Sequence, residues 1–167
     1  MCLAVWLRSV WCSDSGCGAV FPVQECWSEC DGKEAVVPVS RDTARLVSRL
    51  KARDIKVAVC TSDARVPTLA NLASLGISTM VDEVVCGDDT NNVPKPAPDN
   101  LLNICQRLGV SPRQTMMVGD TNADLKMALA SKAGLSVAVM SGVGSLDDLS
   151  PNAHVILDSV DQVEALL

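Results

Sequence analysis

The sequence predicts an α/β domain built on a doubly wound parallel sheet, and three observations carry that prediction. From about Val36 onward, short apolar runs of strand length alternate with segments of helical periodicity. The runs are apolar nearly throughout, as expected of strands covered by helices on both faces. Polar residues gather directly behind several of them, where ligands bind in such sheets, outside the carboxyl ends of the strands.

In chain order, "DTARLVSRLKARD" (42–54) places Ala44, Leu46, Val47 and Leu50 at helical spacing, with Arg and Lys between them. "IKVAVC" (55–60) reads as a buried strand, and "VPTLANLASLG" (66–76) as a helix stopped by Gly76. "VDEVVC" (81–86) is a second strand, and "PDNLLNICQRLG" (98–109) a helix capped by Asp99 and ended by Gly109. "TMMV" (115–118) is a third strand, followed by the helix "NADLKMALASKAG" (122–134), again ended by glycine. "LSVAVM" (135–140), a short edge strand "HVILD" (154–158) and a closing helix "VDQVEALL" (160–167) complete the pattern.

Composition narrows the class. The 167 residues are 48% hydrophobic, enough for one domain with a sizeable core. The net charge is −6 and the acidic residues are scattered, so the basic footprint of a nucleic-acid binder is absent. No apolar run approaches the roughly 20 residues of a spanning helix. These features point to an acidic cytoplasmic protein with neither nucleic-acid nor membrane partners; they say nothing of oligomeric state.

The first 30 residues differ from the rest. They hold all four aromatics (Trp6, Trp11, Phe21, Trp27) and five of the eight cysteines. Residues 1–33 are therefore set apart as an atypical segment and residues 34–167 as the core domain, with the junction near residues 30–36. Arg8 interrupts the first apolar stretch and no basic residue precedes it, which does not fit a secretory signal. Cys12, Cys17, Cys26 and Cys30 lack the paired spacing of zinc ribbons and have no nearby histidine. Free thiols in a reducing compartment are the expectation, with Cys60 and Cys86 as small core residues.

The chemistry gathers behind three strands. "MMVGDTNAD" (116–124) puts Asp120 and Asp124 at a strand-to-helix junction, although unpaired carboxylates are rarely buried. Two carboxylates there suit a hard divalent cation such as magnesium. Thr61, Ser62 and Asp63 follow the first core strand, where hydroxyls and backbone N–H groups can hold phosphate oxygens. Lys95 stands between Pro94 and Pro96, a positive charge on a restricted backbone. Together these make a site for a phosphate and its metal. Singly, each has a structural reading: Thr61 as a turn residue, Lys95 as a solvated charge, Asp124 at a helix N-terminus with Asn122 as cap.

"VAVCTSD", "VPKPAPD" and "MMVGDTNAD" resemble the second, third and fourth motifs of haloacid dehalogenase superfamily hydrolases. From about residue 36 to residue 167 the chain is similar to the C-terminal part of phosphoglycolate phosphatases. "VVCGDD", "AGLSVAVMSGVGS" and "AHVILDSVDQVEALL" all fit. The resemblance implies that Thr61, with Ser62, binds the transferring phosphoryl group and that Lys95 neutralises it. It also implies that Asp120 ligates Mg2+, that Asp124 is a further ligand or holds a metal-bound water, and that the ligand is a small phosphorylated metabolite. The sole histidine, His154, belongs to the closing strand and has no catalytic role.

The family's first motif, an aspartate nucleophile with a second aspartate two residues on, has no match in the sequence. "ECDGK" (29–33) mimics part of it, with Glu29 in the nucleophile's place, but a chance match is the better reading. "CLAVWL" and "GAVFPV" are apolar enough for strands, yet no Asp-x-Asp follows either. No room exists for the cap domain that relatives insert between the first two motifs. The expectation is a phosphatase body whose first strand and cap are missing or atypical: a truncated or alternative form of a magnesium phosphatase, or a pseudophosphatase that binds without turnover. A phospho-receiver would place its acidic residues before Thr and Lys, the reverse of the order here. Loss of the central strand would leave a gap between its neighbours, which the N-terminal segment could fill without supplying the chemistry.

Overall fold

The computed structural model describes the backbone of residues 2–6 and 18–22 and the whole of residues 43–167. The 33/34 junction, "ECDGK" and four of the early cysteines (Cys12, Cys17, Cys26, Cys30) lie outside these residues.

Strands β1 (Cys2–Trp6), β2 (Gly18–Pro22), β3 (Lys56–Cys60), β4 (Glu83–Val85), β5 (Thr115–Gly119), β6 (Leu135–Val139) and β7 (Val155–Leu157) form one sheet. Its order is β4-β3-β1-β5-β6-β7, with β2 paired to β1 off that path. β3 and β4 pair parallel, as do β5, β6 and β7. Both N-terminal apolar runs are strands, and β1 occupies the place between β3 and β5, so the expected gap is filled.

The sheet departs from the expected parallel pattern at this one strand. β1 runs antiparallel to β2, β3 and β5. Successive parallel strands need a long crossover between them, and only residues 7–17 separate β1 from β2. β2 consequently runs in the same sense as β3 and β5. Its last residue, Pro22, lies opposite Cys2, which lies opposite Cys60 at the carboxyl edge.

Helices cover both faces. On one, α1 (Thr43–Ala52) and α2 (Arg65–Ser74) bury Leu46, Val47, Leu50 and Leu72 against Val57, Val59, Met116, Val118, Val137 and Val139. Val160 and Val163 of the C-terminal 3-10 segment join them, where the sequence pattern predicts an α-helix. On the other, α3 (Asp99–Leu108) and α4 (Asn122–Ala130) bury Leu101, Ile104, Cys105, Met127 and Ala128 against Ala58, Cys60, Val85 and Met117. Alternate residues of β3 thus serve opposite faces, the period-two arrangement of a doubly covered strand. A short α5 (Leu146–Leu149), too brief for periodicity to reveal, packs Leu149 on Leu125 and Ala138.

The helix ends refine the sequence reading. Gly76 and Gly109 follow α2 and α3 with φ of 71° and 67°, a left-handed conformation that suits glycine. Asp99 is the first residue inside α3, not its cap: the cap position belongs to Pro98, and the carboxylate favours the helix only through its charge. α4 ends at Ala130, short of Gly134. Gly134 serves a close approach instead, since a Cβ there would lie 2.2 Å from the Arg113 carbonyl oxygen. No described helix is long and apolar enough to cross a membrane.

His154 is exposed beside the start of β7, its Nδ1 accepting the Ser136 backbone N–H at 3.0 Å. That contact ties the loop before β7 to β6, and the ring lies away from the polar strand ends.

Candidate phosphate and metal site

The site assembles where β3, β5 and β6 end. At the end of β3 the Thr61 backbone N–H donates to the Val85 carbonyl at 2.9 Å, extending the parallel ladder one residue past the strand. Thr61 is buried, and its hydroxyl donates to the Asp63 carboxylate while accepting the Asp63 backbone N–H at 3.1 Å. Gly87, after β4, pins this turn from the side: its N–H donates to the Asp63 carbonyl at 2.7 Å. A Cβ on Gly87 would lie 2.0 Å from the Ser62 carbonyl oxygen. Ser62 itself is exposed.

Lys95 reaches the same place from the proline-flanked loop, which carries a cis Lys95–Pro96 peptide. Its Nζ donates to the Cys60 carbonyl at 2.9 Å and to Asp124 Oδ1 at 2.8 Å. The ion-paired side chains are only 7% and 2% exposed, which separates this lysine from a solvated surface charge. Behind it, buried Asn100 anchors the loop: its Nδ2 donates to Asn92 Oδ1 and the Val93 carbonyl, and its Oδ1 accepts the Val93 N–H.

Asp124 sits in the first turn of α4. Thr121, not Asn122, is the cap, in a reciprocal capping box with Asp124. Asp124 Oδ2 accepts the Thr121 hydroxyl at 2.6 Å, so both carboxylate oxygens are engaged. Gly119 makes room for it, because a Cβ there would lie 2.4 Å from Asp124 Cβ.

Asp120 is different. It is 5% exposed, and its Oδ2 accepts the Val143 N–H at 3.0 Å while its carbonyl accepts the Gly144 N–H at 3.0 Å. Its Oδ1 has no partner among the described residues. A buried carboxylate oxygen left without a donor is costly unless a cation or water completes it. The chemistry of this donor fits a hard divalent ion. The loop that grips Asp120 comes close: a Cβ on Gly142 would lie 2.0 Å from Asp120 Cβ.

The structure therefore brings Thr61, Lys95, Asp120 and Asp124 to one edge, with Ser62 on its rim. Sequence reasoning gave Asp63 no role and missed Asn100, Thr121 and the clasp made by Gly142 and Gly144. Of these only Thr121 carried a local signal, as a capping residue three before an acidic one. Cys60 lies beneath the site as a buried thiol whose pKa burial pushes up, against the pull of Lys95.

A second acidic group, Cys86 with Asp88 and Asp89, has its ligand atoms within 4.8 Å of one another. Its carboxylates are committed elsewhere. Asp89 takes the Arg65 guanidinium at 2.7 and 2.6 Å, and Asp88 accepts the Arg65 N–H at 2.8 Å. The hydrogen bond from Arg65 holds the Asp89 carboxyl below its ordinary range, helped by the Cys86 N–H. A depressed folded-state pKa adds stability above the unfolded value, about 4, and loses it as pH falls through the folded value. Asp89→Asn should therefore cost about 0.5 kcal/mol at pH 7, as partly exposed pairs do. Urea melts of the two proteins should converge as the pH is lowered through the folded-state value.

Known proteins resemble this chain over much of its length. The family model for haloacid dehalogenase-like hydrolases matches residues 19–132, beginning inside β2. The phosphoglycolate phosphatase of Rhodospirillum rubrum is 41% identical over 96 residues, 58% of this chain and 39% of that protein. The Escherichia coli phosphoglycolate phosphatase is 32% identical over 122 residues, 72% of this chain and 47% of that one. The matched region thus spans less than half the length of either relative. Among solved structures, a phosphoglycolate phosphatase assigned by prediction in Haemophilus somnus superposes with a TM-score of 0.69 at 21% identity, covering 75% of this chain and 55% of that one. A subfamily IA hydrolase of Geobacter sulfurreducens gives 0.62 at 24%, covering 75% and 59%. At these identities the structural matches speak for the fold alone.

Proposed function

The chain belongs to the haloacid dehalogenase-like hydrolase family, and on that premise we propose that it acts on a small phosphomonoester, phosphoglycolate or a close analogue, with magnesium. The observation that carries the reading is the pairing of a buried lysine with a buried carboxylate oxygen that has no donor among the described residues. Lys95 is held by the Cys60 carbonyl and Asp124 so that its charge faces the carboxyl edge. Asp120 offers Oδ1 to a cation at the same edge.

In this reading Thr61 holds a phosphoryl oxygen by its hydroxyl, with Ser62 at the rim. Lys95 offsets the phosphate's negative charge. Asp120 holds the magnesium ion, which when bound offsets phosphate charge further, and Asp124 keeps Lys95 in place while adding negative charge on the cation's side. Hydrolysis through an aspartyl-phosphate requires a carboxylate to attack phosphorus as the alcohol leaves with a proton, and water to cleave the acyl phosphate. The Asp-x-Asp pair that performs these steps in the family has no counterpart in the 167 residues. That observation favours a second reading, a protein that binds a phosphorylated ligand without turnover. Either activity is that of a cytoplasmic protein with a small-molecule ligand and no nucleic-acid or membrane partner.

One experiment separates the readings. The chain is incubated with Mg2+ and phosphoglycolate, phosphate release is followed, and thermal stability is measured with and without Mg2+ and inorganic phosphate. Magnesium-dependent release supports hydrolysis. Stabilisation without release supports the binding reading, and neither effect would remove both. Magnesium at about 100 times its Kd should add about 2.7 kcal/mol of stability, and Asp120→Asn should abolish that gain.

A further inference from the structure

The hydroxyl assigned to phosphate is already engaged. Thr61 Oγ1 donates to Asp63 Oδ2 and accepts the Asp63 backbone N–H at 3.1 Å. A threonine hydroxyl has one proton to give, so a phosphoryl oxygen that takes it must displace the carboxylate. The turn cannot move away as a unit. Gly87 N–H holds the Asp63 carbonyl at 2.7 Å, and the Gly87 backbone packs against the Ser62 carbonyl with no space for a Cβ. Thr61 N–H is fixed to Val85 at 2.9 Å. What can move is the Asp63 side chain, which is half-buried and borders solvent.

We propose that Asp63 sets the affinity of this site for phosphate, its carboxylate competing with the incoming phosphoryl group for the Thr61 hydroxyl. The proposal rests on the reading of Thr61 as a phosphate ligand. A second effect adds to simple competition. A carboxylate one hydrogen bond from the phosphate position is a like charge, and it disfavours a bare dianion more than a phosphate whose charge a cation on Asp120 has offset. Asp63 thereby makes phosphate binding depend on the cation. A residue that only shaped the turn would have no reason to weaken a ligand.

The test is calorimetric titration of the full chain with inorganic phosphate, at saturating Mg2+ and without Mg2+. The proteins are the wild type, Asp63→Asn, Asp63→Ala and Thr61→Val. Asp63→Asn keeps the size and an acceptor oxygen but removes the charge; Asp63→Ala frees the hydroxyl outright. Both should bind phosphate more tightly than wild type, by about tenfold for a like charge removed at this range. Their gain should be larger without Mg2+. A merely structural Asp63 would leave affinity unchanged or lower it. Unchanged or weaker binding in both Asp63 variants, with Thr61→Val weakened, overturns this proposal and leaves the phosphate reading standing. Wild-type affinity in Thr61→Val, or no phosphate binding by any of the four, overturns both.

Discussion

Lys95→Met should lower stability by about 3–5 kcal/mol and abolish measurable phosphate binding. Methionine keeps much of the length of the side chain and removes its charge. Asp124, 2% exposed, then loses the Lys95 ammonium that pairs with it at 2.8 Å. Breaking one half of a buried pair costs more than the pair contributes, because the remaining charge stays desolvated. The double variant Lys95→Met with Asp124→Asn should recover most of the lost stability and none of the phosphate binding. Chemical denaturation of the four proteins in that cycle gives the coupling energy directly. Full stability in Lys95→Met alone would mean that the ion pair is not what holds this edge together.

Gly142→Ala should weaken magnesium binding by about tenfold or more, the effect of one methyl group forced into a filled space. The added Cβ would meet the Asp120 carboxylate at 2.2 Å from Oδ2 and 2.4 Å from Cγ. Neither side can yield cheaply, since Val143 holds the Asp120 carboxylate and Gly144 its carbonyl, each by a backbone N–H at 3.0 Å. Overpacking of this kind costs roughly 1–3 kcal/mol. Gly76→Ala is the matched control: it adds a methyl group into open space at φ 71°, so it strains the backbone without approaching Asp120. Its magnesium affinity should equal that of the wild type, which isothermal titration of both variants would reveal.

The strands and most helices were legible because they obey periodicity: an apolar run such as that of β3, buried along nearly its whole length, matches what a strand covered on both faces requires. Thr61, Lys95, Asp120 and Asp124 were legible as a group because polar residues repeated at consecutive strand ends. The direction of β1 was not, since periodicity carries no sense of direction. Nor were Gly142 and Gly144, whose role is an approach to Asp120 made from a separate loop. Asp63 stood inside a quoted motif, yet which neighbour its side chain turns toward depends on how Gly87 closes the turn. Asn100 reads as helix composition and is the anchor of the lysine loop. Asp99 and Asn122, the caps that the pattern suggests, lie one position inside the observed ones, Pro98 and Thr121, a displacement of the size that helix ends commonly produce.

The position of β1 has a consequence for how the molecule forms. This strand lies in the middle of the sheet, with Cys2 opposite Cys60 and Leu3 opposite Val118. Its partners are among the most distant in sequence, and such pairings close late and slowly. During synthesis β1 emerges long before β5 and must wait for it before that pairing can form. Until it docks, β3 and β5 each present an open edge of unpaired backbone groups, the feature that promotes association between chains. Yield on refolding should thus hinge on residues 2–6 more than on any part of the phosphate edge.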